Sequence, residues 1–272
     1  MQQQDNLINA LGVIEITGSD SQKFLQSQLT NDINELDTKP FQLSAHLNHK
    51  GRILANFIIT KRAAQTYYLI TPKEIIELII PRLTMFILRS KVNIIHSKQE
   101  LCFSKNHLPD TPTLEIFPEY YLMFDQQNTE HETSQLWKKA AIEHGLPMIY
   151  KATQEVFIPQ HVNLDLINGI NFKKGCYPGQ EIVARTHYLG KVKRRMFSFT
   201  TNYMPLIGQK VVSPKLDNQE VGIIVDYLKY AEGYHGLVSI QLNCIDSAFL
   251  DKDNQQPLII KPLLTHDGLL IE

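Results

Sequence analysis

Apolar and polar positions alternate over residues 13–17, the period of a half-buried strand, and Gly18 with Ser19 or Asp20 then supplies a turn and a helix N-cap. Phe24, Leu25 and Leu29 follow at three-to-four-residue spacing, which predicts a helix over residues 21–29. It should end at TND, residues 30–32, whose short polar side chains favour turns and caps. Residues 41–47 and 53–60 read as two strands of a hairpin joined by the polar turn NHKGR. A further strand over 67–70 leads through Thr71, as cap, to a helix beginning at Pro72, within which Pro81 predicts a kink or a restart.

Short strand candidates then recur at 92–95, 101–104, 114–117 and 120–124, an antiparallel pattern. Residues 133–144 predict a helix capped by Thr133 and stopped by Gly145. Residues 146–174 have little periodicity and several loop signals, and a long irregular stretch inside a compact domain is usually functional. Beyond it the pattern changes to strands at 195–200, 221–227, 237–242 and 258–261, a small all-β unit. The expected division is therefore 1–194 and 195–272.

Composition narrows the classes. With 272 residues, 43% hydrophobic, 20% charged and a net charge of -1, the chain has the profile of an ordinary globular protein and no overall field to attract a polyanion. The basic cluster Lys191, Lys193, Arg194 and Arg195 is read as a solvated strand edge, so direct tRNA binding is not expected. The first twelve residues have neither a basic start nor a long apolar run, which predicts no signal peptide and a cytoplasmic protein. Residues 75–88, broken by Glu77, Pro81 and Arg82, are too short to span a bilayer, so no membrane association is expected. Cys102, Cys176 and Cys244 lie about 70 residues apart and the ten histidines show no ligand spacing, so neither disulfides nor a self-contained metal site is expected.

The candidate chemistry lies in KKGCYPGQE, residues 173–181. Gly175 and Gly179 allow backbone angles or a close approach that a side chain would forbid. If Pro178 starts a helix, Cys176 sits near its positive end with Lys173 and Lys174 close in sequence, and both effects favour thiolate. The bland alternative is a small packed cysteine in a tight turn. Glu181 and Arg185 are helical i,i+4 neighbours, suited either to a local ion pair or to orienting a bound carboxylate.

KKGCYPGQEIVAR, residues 173–185, resembles the signature of the YgfZ family of folate-binding proteins, relatives of the glycine-cleavage aminomethyltransferase. ITGSDSQKFLQSQLTNDI (16–33), LNHKGRILANF (47–57) and VFIPQHVNLDLINGINF (156–172) resemble the family's other blocks in the same order. The resemblance implies an α+β fold, a ring of mixed α/β subdomains with a C-terminal β-barrel, and tetrahydrofolate as cofactor in the ring's channel. It implies a role in assembly or repair of iron–sulfur proteins, with iron–sulfur clients or assembly proteins as partners, and so indirect support of tRNA methylthiolation.

The same resemblance assigns residues. Cys176 is the reacting group, and its role as nucleophile, redox thiol or transient cluster ligand stays open. Lys174, with Lys173, would hold the glutamate tail of folate or lower the cysteine's pKa. Trp137 would stack on an aromatic ring of folate, and Glu143 would accept two hydrogen bonds from a pterin. Leu11 stands where some relatives place a second tryptophan, Asn31 and Asp32 face the same region, and Arg185 would orient the thiolate loop or a carboxylate. Ala55 and Asn56 replace the acidic pair of the aminomethyltransferases, which disfavours ordinary aminomethyl transfer. A folate-dependent one-carbon transferase of altered mechanism remains the alternative.

Overall fold

The computed structural model describes residues 10–106, 112–124, 132–251 and 255–263. Its first sheet is built around β1 (Leu11–Thr17), which pairs antiparallel with both β4 (Thr66–Pro72) and β5 (Asn93–Ser97). With β2 (Gln42–Leu47) and β3 (Ile53–Ala63) the strand order is β2-β3-β4-β1-β5. Helices α1 (Ser21–Gln28) and α2 (Lys73–Thr84) bury their apolar stripes in the same core as Ile14 and Ile16. Phe24, Leu25 and Leu29 from the α1 region and Ile75, Ile79 and Leu83 from α2 supply that core. Each such large side chain contributes about 1.5–3 kcal/mol on leaving water.

Two end effects differ from the pattern's expectation. Asp20 occupies the N-cap position of α1, but its side chain makes no cap bond and Oδ2 accepts instead from the Lys91 amide at 2.7 Å. Pro81 neither ends nor restarts α2, which runs on to Thr84 from a start at Lys73, just after the buried Thr71 and Pro72. Proline removes a donor to the carbonyl four residues earlier, here that of Glu77; both residues are exposed, so water can serve that carbonyl.

A second sheet of β6 (Cys102–Ser104), β7 (Thr113–Phe117) and β8 (Tyr120–Met123), ordered β6-β8-β7, carries an aromatic cluster. Phe103 stacks on Tyr120 at 5.6 Å, and Trp137 of α3 (Glu132–Glu143) meets Phe103 edge-on at 5.0 Å. Gly145 ends this helix region in the left-handed conformation, φ 64°. Residues 1–9, and the Thr133 side chain expected as the cap, lie outside the described residues.

The C-terminal strands close into a barrel of order β10-β11-β12-β9-β14-β13, which leaves no open sheet edge. They are β9 (Arg194–Thr201), β10 (Lys210–Ser213), β11 (Gln219–Tyr230), β12 (Gly233–Gln241), β13 (Ala248–Phe249) and β14 (Pro257–Lys261). β10 and β13 are too short to show a period. The irregular stretch before the barrel is laced by side-chain amides in place of a strand ladder. Asn163, in left-handed conformation, donates Nδ2 to the Met196 carbonyl at 2.8 Å and accepts from the Met196 amide at 3.2 Å.

The chain forms two interleaved compact units: Met1–Leu47, Leu54–Ala140 and Gly169–Pro178 make the first, and Asn48–Ile53, Ala141–Asn168 and Gly179–Glu272 the second. The second thus takes in two segments that precede the barrel strands. Among the described residues no helix is long and apolar enough to cross a membrane.

His46 on β2 is fully buried, with Nδ1 3.1 Å from the Gln28 carbonyl. Burial holds its pKa down at about 4; the Gln28 carbonyl opposes this and the Arg82 charge adds to it. The unfolded chain takes up this proton near pH 6.5, so between about 6.5 and 4 it binds more protons than the folded chain and stability falls on acidification. The His46 share of that loss is about 3 kcal/mol. His46→Gln keeps a donor for the Gln28 carbonyl, and urea unfolding across this window should show a shallower loss than in wild type.

Candidate functional site

The last carbonyls of a helix have no intrahelical donor. At the end of α1 they are served by Lys174, whose Nζ donates to the carbonyls of Gln26 (2.7 Å), Leu29 (2.7 Å) and Asn31 (2.8 Å). A cation is also the favourable charge at a helix C-terminus. Lys174 is 8% exposed, and burial brings its pKa down to about 8 while the Asp32 charge opposes the shift. The backbone around it is tied to TND. Thr30 Oγ1 donates to the Gly169 carbonyl at 2.7 Å, and the Asn171 amide donates to the Thr30 carbonyl at 3.0 Å. Asn171 Oδ1 accepts from the amides of Lys173 (2.8 Å) and Lys174 (3.0 Å), while its Nδ2 donates to Glu35 at 3.0 Å.

From this anchored base the chain returns to the surface, and Cys176 is exposed whereas Cys244 is buried. Tyr177, next along, is buried with its ring 5.5 Å from the Lys174 ammonium, and burial pushes its phenol up to about 12. The two glycines play opposite parts. At Gly175 a Cβ would meet nothing within 4 Å among the described residues, so the space beside Cys176 is open. At Gly179 φ is 77° and a Cβ would lie 2.5 Å from the Asn48 carbonyl oxygen, which only glycine permits. Gly179 caps α4 (Gln180–Tyr188), so the helix starts two residues after Pro178 and four after Cys176.

The other expected contacts are distributed as follows. Asn31 and Lys174 come together, but through the Asn31 carbonyl; the Asn31 side chain donates to the Leu43 carbonyl at 2.8 Å and accepts from the Asp32 amide at 2.9 Å. All three Lys174 ammonium hydrogens are directed at carbonyls, which leaves none for a folate carboxylate. Trp137 is 5% exposed within its aromatic cluster, and Leu11, opposite Pro72 at the start of β1, is buried. These four residues belong to the first unit, Glu143 and Arg185 to the second. Glu143 is exposed and accepts from the Tyr230 hydroxyl at 3.3 Å. Glu181 and Arg185 are both exposed and no ion pair joins them. Ala55 and Asn56 are buried, and neither side chain is ionisable. Asn171 and Thr30, which hold the loop, were not singled out from the sequence; the only signal for Asn171 is an asparagine two and three residues before the amides it accepts from.

Comparison with known proteins agrees with this architecture. Residues 8–99 match the family model of the GCVT N-terminal domain. The tRNA-modifying protein YgfZ of Colwellia psychrerythraea is 28% identical over 93% of this chain and 86% of its own, and that of Escherichia coli 29% over 91% and 89%. An uncharacterized Haemophilus influenzae protein is 34% identical over 69% of this chain and 70% of its own. The chain belongs to the YgfZ family. The crystal structure of glycine cleavage system aminomethyltransferase T from Bartonella henselae superimposes with a TM-score of 0.63 over 88% of this chain and 78% of that one. At 12% identity the kinship is one of fold, and this YgfZ-family chain shares its mixed α/β body and C-terminal barrel.

Lys174→Met removes the ammonium donor to the carbonyls of Gln26, Leu29 and Asn31, and urea unfolding should show a loss of at least about 3 kcal/mol. Lys173→Met, on an exposed side chain, should stay within about 0.5 kcal/mol of wild type. Gly179→Ala should cost more than about 1 kcal/mol, while Gly175→Ala should leave the thermal midpoint unchanged.

Proposed function

We propose that this YgfZ-family chain is a tetrahydrofolate-binding accessory protein that supports tRNA modification indirectly, through assembly or repair of iron–sulfur proteins, with the Cys176 thiol as its reacting group. The observation that carries the proposal is an exposed cysteine beside an open glycine, on a backbone held from below by a buried ammonium. A thiol placed this way meets a second molecule without the loop having to be ordered first. The relatives named tRNA-modifying proteins and the aminomethyltransferase-like fold support the same reading.

The residues present fit folate in part. Bound tetrahydrofolate would supply a one-carbon carrier. Glu143 offers an exposed carboxylate of the kind that accepts from a pterin, and Arg185 an exposed guanidinium suited to a glutamate tail. Lys174 and the Asn31 side chain have structural tasks, and Trp137 is already packed against protein rings. Aminomethyl transfer by the usual route is disfavoured because Ala55 and Asn56 provide no acid or base. Cytoplasmic action belongs to the same proposal.

In a strain lacking the protein, Cys176→Ala should fold with an unchanged thermal midpoint yet fail to restore methylthiolated tRNA and iron–sulfur enzyme activity. Full restoration by this variant would overturn the role of the thiol. Calorimetric titration of the purified chain with tetrahydrofolate tests the cofactor separately: saturable heat that weakens in Glu143→Gln is expected, and absence of any heat would remove folate from the proposal.

A further inference from the structure

The loop joining α2 to β5 leaves large apolar side chains at the surface of the first unit. Met85 is 66% exposed, Phe86 41% and Leu88 88%. Leu88 also holds φ at 49°, the left-handed region that a leucine enters only at a steric cost and a glycine enters freely. The loop is nonetheless well tied. The Ser90 amide donates to the Ile87 carbonyl at 2.8 Å, and the Asp20 amide donates to the Lys91 carbonyl at 3.3 Å. The Lys91 amide in turn donates to Asp20 Oδ2 at 2.7 Å, and at Gly18 (φ 120°) a Cβ would lie 2.1 Å from the Lys91 carbonyl oxygen. Phe86 meets the buried His46 ring edge-on at 6.4 Å.

Between this loop and α1 lies an open cavity of about 670 Å³. Phe24 from α1 and Phe86 and Leu88 from the loop supply its apolar lining, while Lys23 and Arg89 bring one cation from each side. Asp20 is the one carboxylate of the lining, and its Oδ2 already accepts from the Lys91 amide. Neither Lys23 nor Arg89 forms an ion pair among the described residues. Two cations less one carboxylate leave the lining with a net charge of +1. A concave space with apolar walls and few polar groups, built by segments already fixed to one another, is the usual form of a small-molecule site.

We propose that this cavity binds an aromatic monocarboxylate. The flat apolar body packs against Phe24, Phe86 and Leu88, and the carboxylate pairs with Lys23 and Arg89, whose planar guanidinium suits both carboxylate oxygens. A single negative charge balances the lining. Leu88 then has a task that accounts for its backbone: its side chain closes over the ligand from a position whose conformation is otherwise suited to glycine. The site does not rest on the folate reading, since it uses none of the residues named there.

The test is calorimetric titration of the full chain with 2-naphthoate, with its uncharged analogue 2-naphthalenemethanol and with decanoate, at constant ionic strength in chloride. Naphthoate should bind saturably, and the alcohol at least about fivefold more weakly. Arg89→Met and Lys23→Met should each weaken naphthoate binding about three- to tenfold, as loss of a partly solvated charge pair does. Lys98→Met, at an exposed cation outside the cavity, should leave it unchanged. Leu88→Gly separates a binding role from a structural one: relief of the left-handed strain should raise the thermal midpoint, while naphthoate affinity falls at least about fivefold. Equal affinity in wild type and Leu88→Gly, equal binding of the alcohol, or no saturation at millimolar naphthoate would overturn the site. Equal binding of decanoate would make it a fatty-acid site, and competitive displacement of naphthoate by tetrahydrofolate would make it part of a folate site; either result also refutes the proposal.

Discussion

A buried ammonium group holding the end of α1 is the constraint on which the candidate site depends. Taking a lysine out of water is costly, and the cost is offset because Gln26, Leu29 and Asn31 present carbonyls to all three ammonium hydrogens. The exchange serves both partners. The helix gains a C-terminal cation in place of a glycine cap, and a loop 143 to 148 residues away in sequence gains a fixed position. Asn171 and Thr30 then order the backbone leading into Lys174, so that Cys176 reaches the surface from a base with few remaining degrees of freedom.

The two units satisfy their polar interiors by different means. In the first, main-chain groups around TND are met by lysine, threonine and asparagine side chains. In the second, the irregular stretch before the barrel uses amide and acid pairs: Asn163 brackets Met196, Gln160 donates to the Val183 carbonyl at 2.8 Å, and Tyr150 donates to the buried Asp226 at 2.9 Å. Asp226 lies where the register of β11 on β12 shifts, between Ile224 and Asp226.

Burial on β3 limits what positions 55 and 56 can do. Position 55–56 lies on β3 inside the core of the first sheet, and a buried alanine and asparagine there contribute packing and hydrogen bonding without a titrating group. The exposed Cys176 thiol lies elsewhere, in the loop that Asn171 and Lys174 hold. The likeness to the T protein, at 12% identity, describes the scaffold alone.

Much of the fold was legible in the sequence because periodicity reports burial directly. The helix of Phe24, Leu25 and Leu29, the NHKGR hairpin and the strands of the barrel were placed within a few residues, whereas β10 and β13 were missed because four and two residues cannot display a period. The sequence by itself also singled out one cysteine of three, through the block KKGCYPGQE, and that cysteine is exposed. It could not tell the two lysines of that block apart. Lys173 and Lys174 are identical in type and adjacent, yet one is exposed and the other lies beneath the end of α1. The two glycines were alike in the same way, until packing left one open and pressed the other against Asn48. Only the tertiary structure decided these differences, because burial, charge pairing and hydrogen-bond satisfaction depend on segments more than a hundred residues apart, which local pattern does not encode.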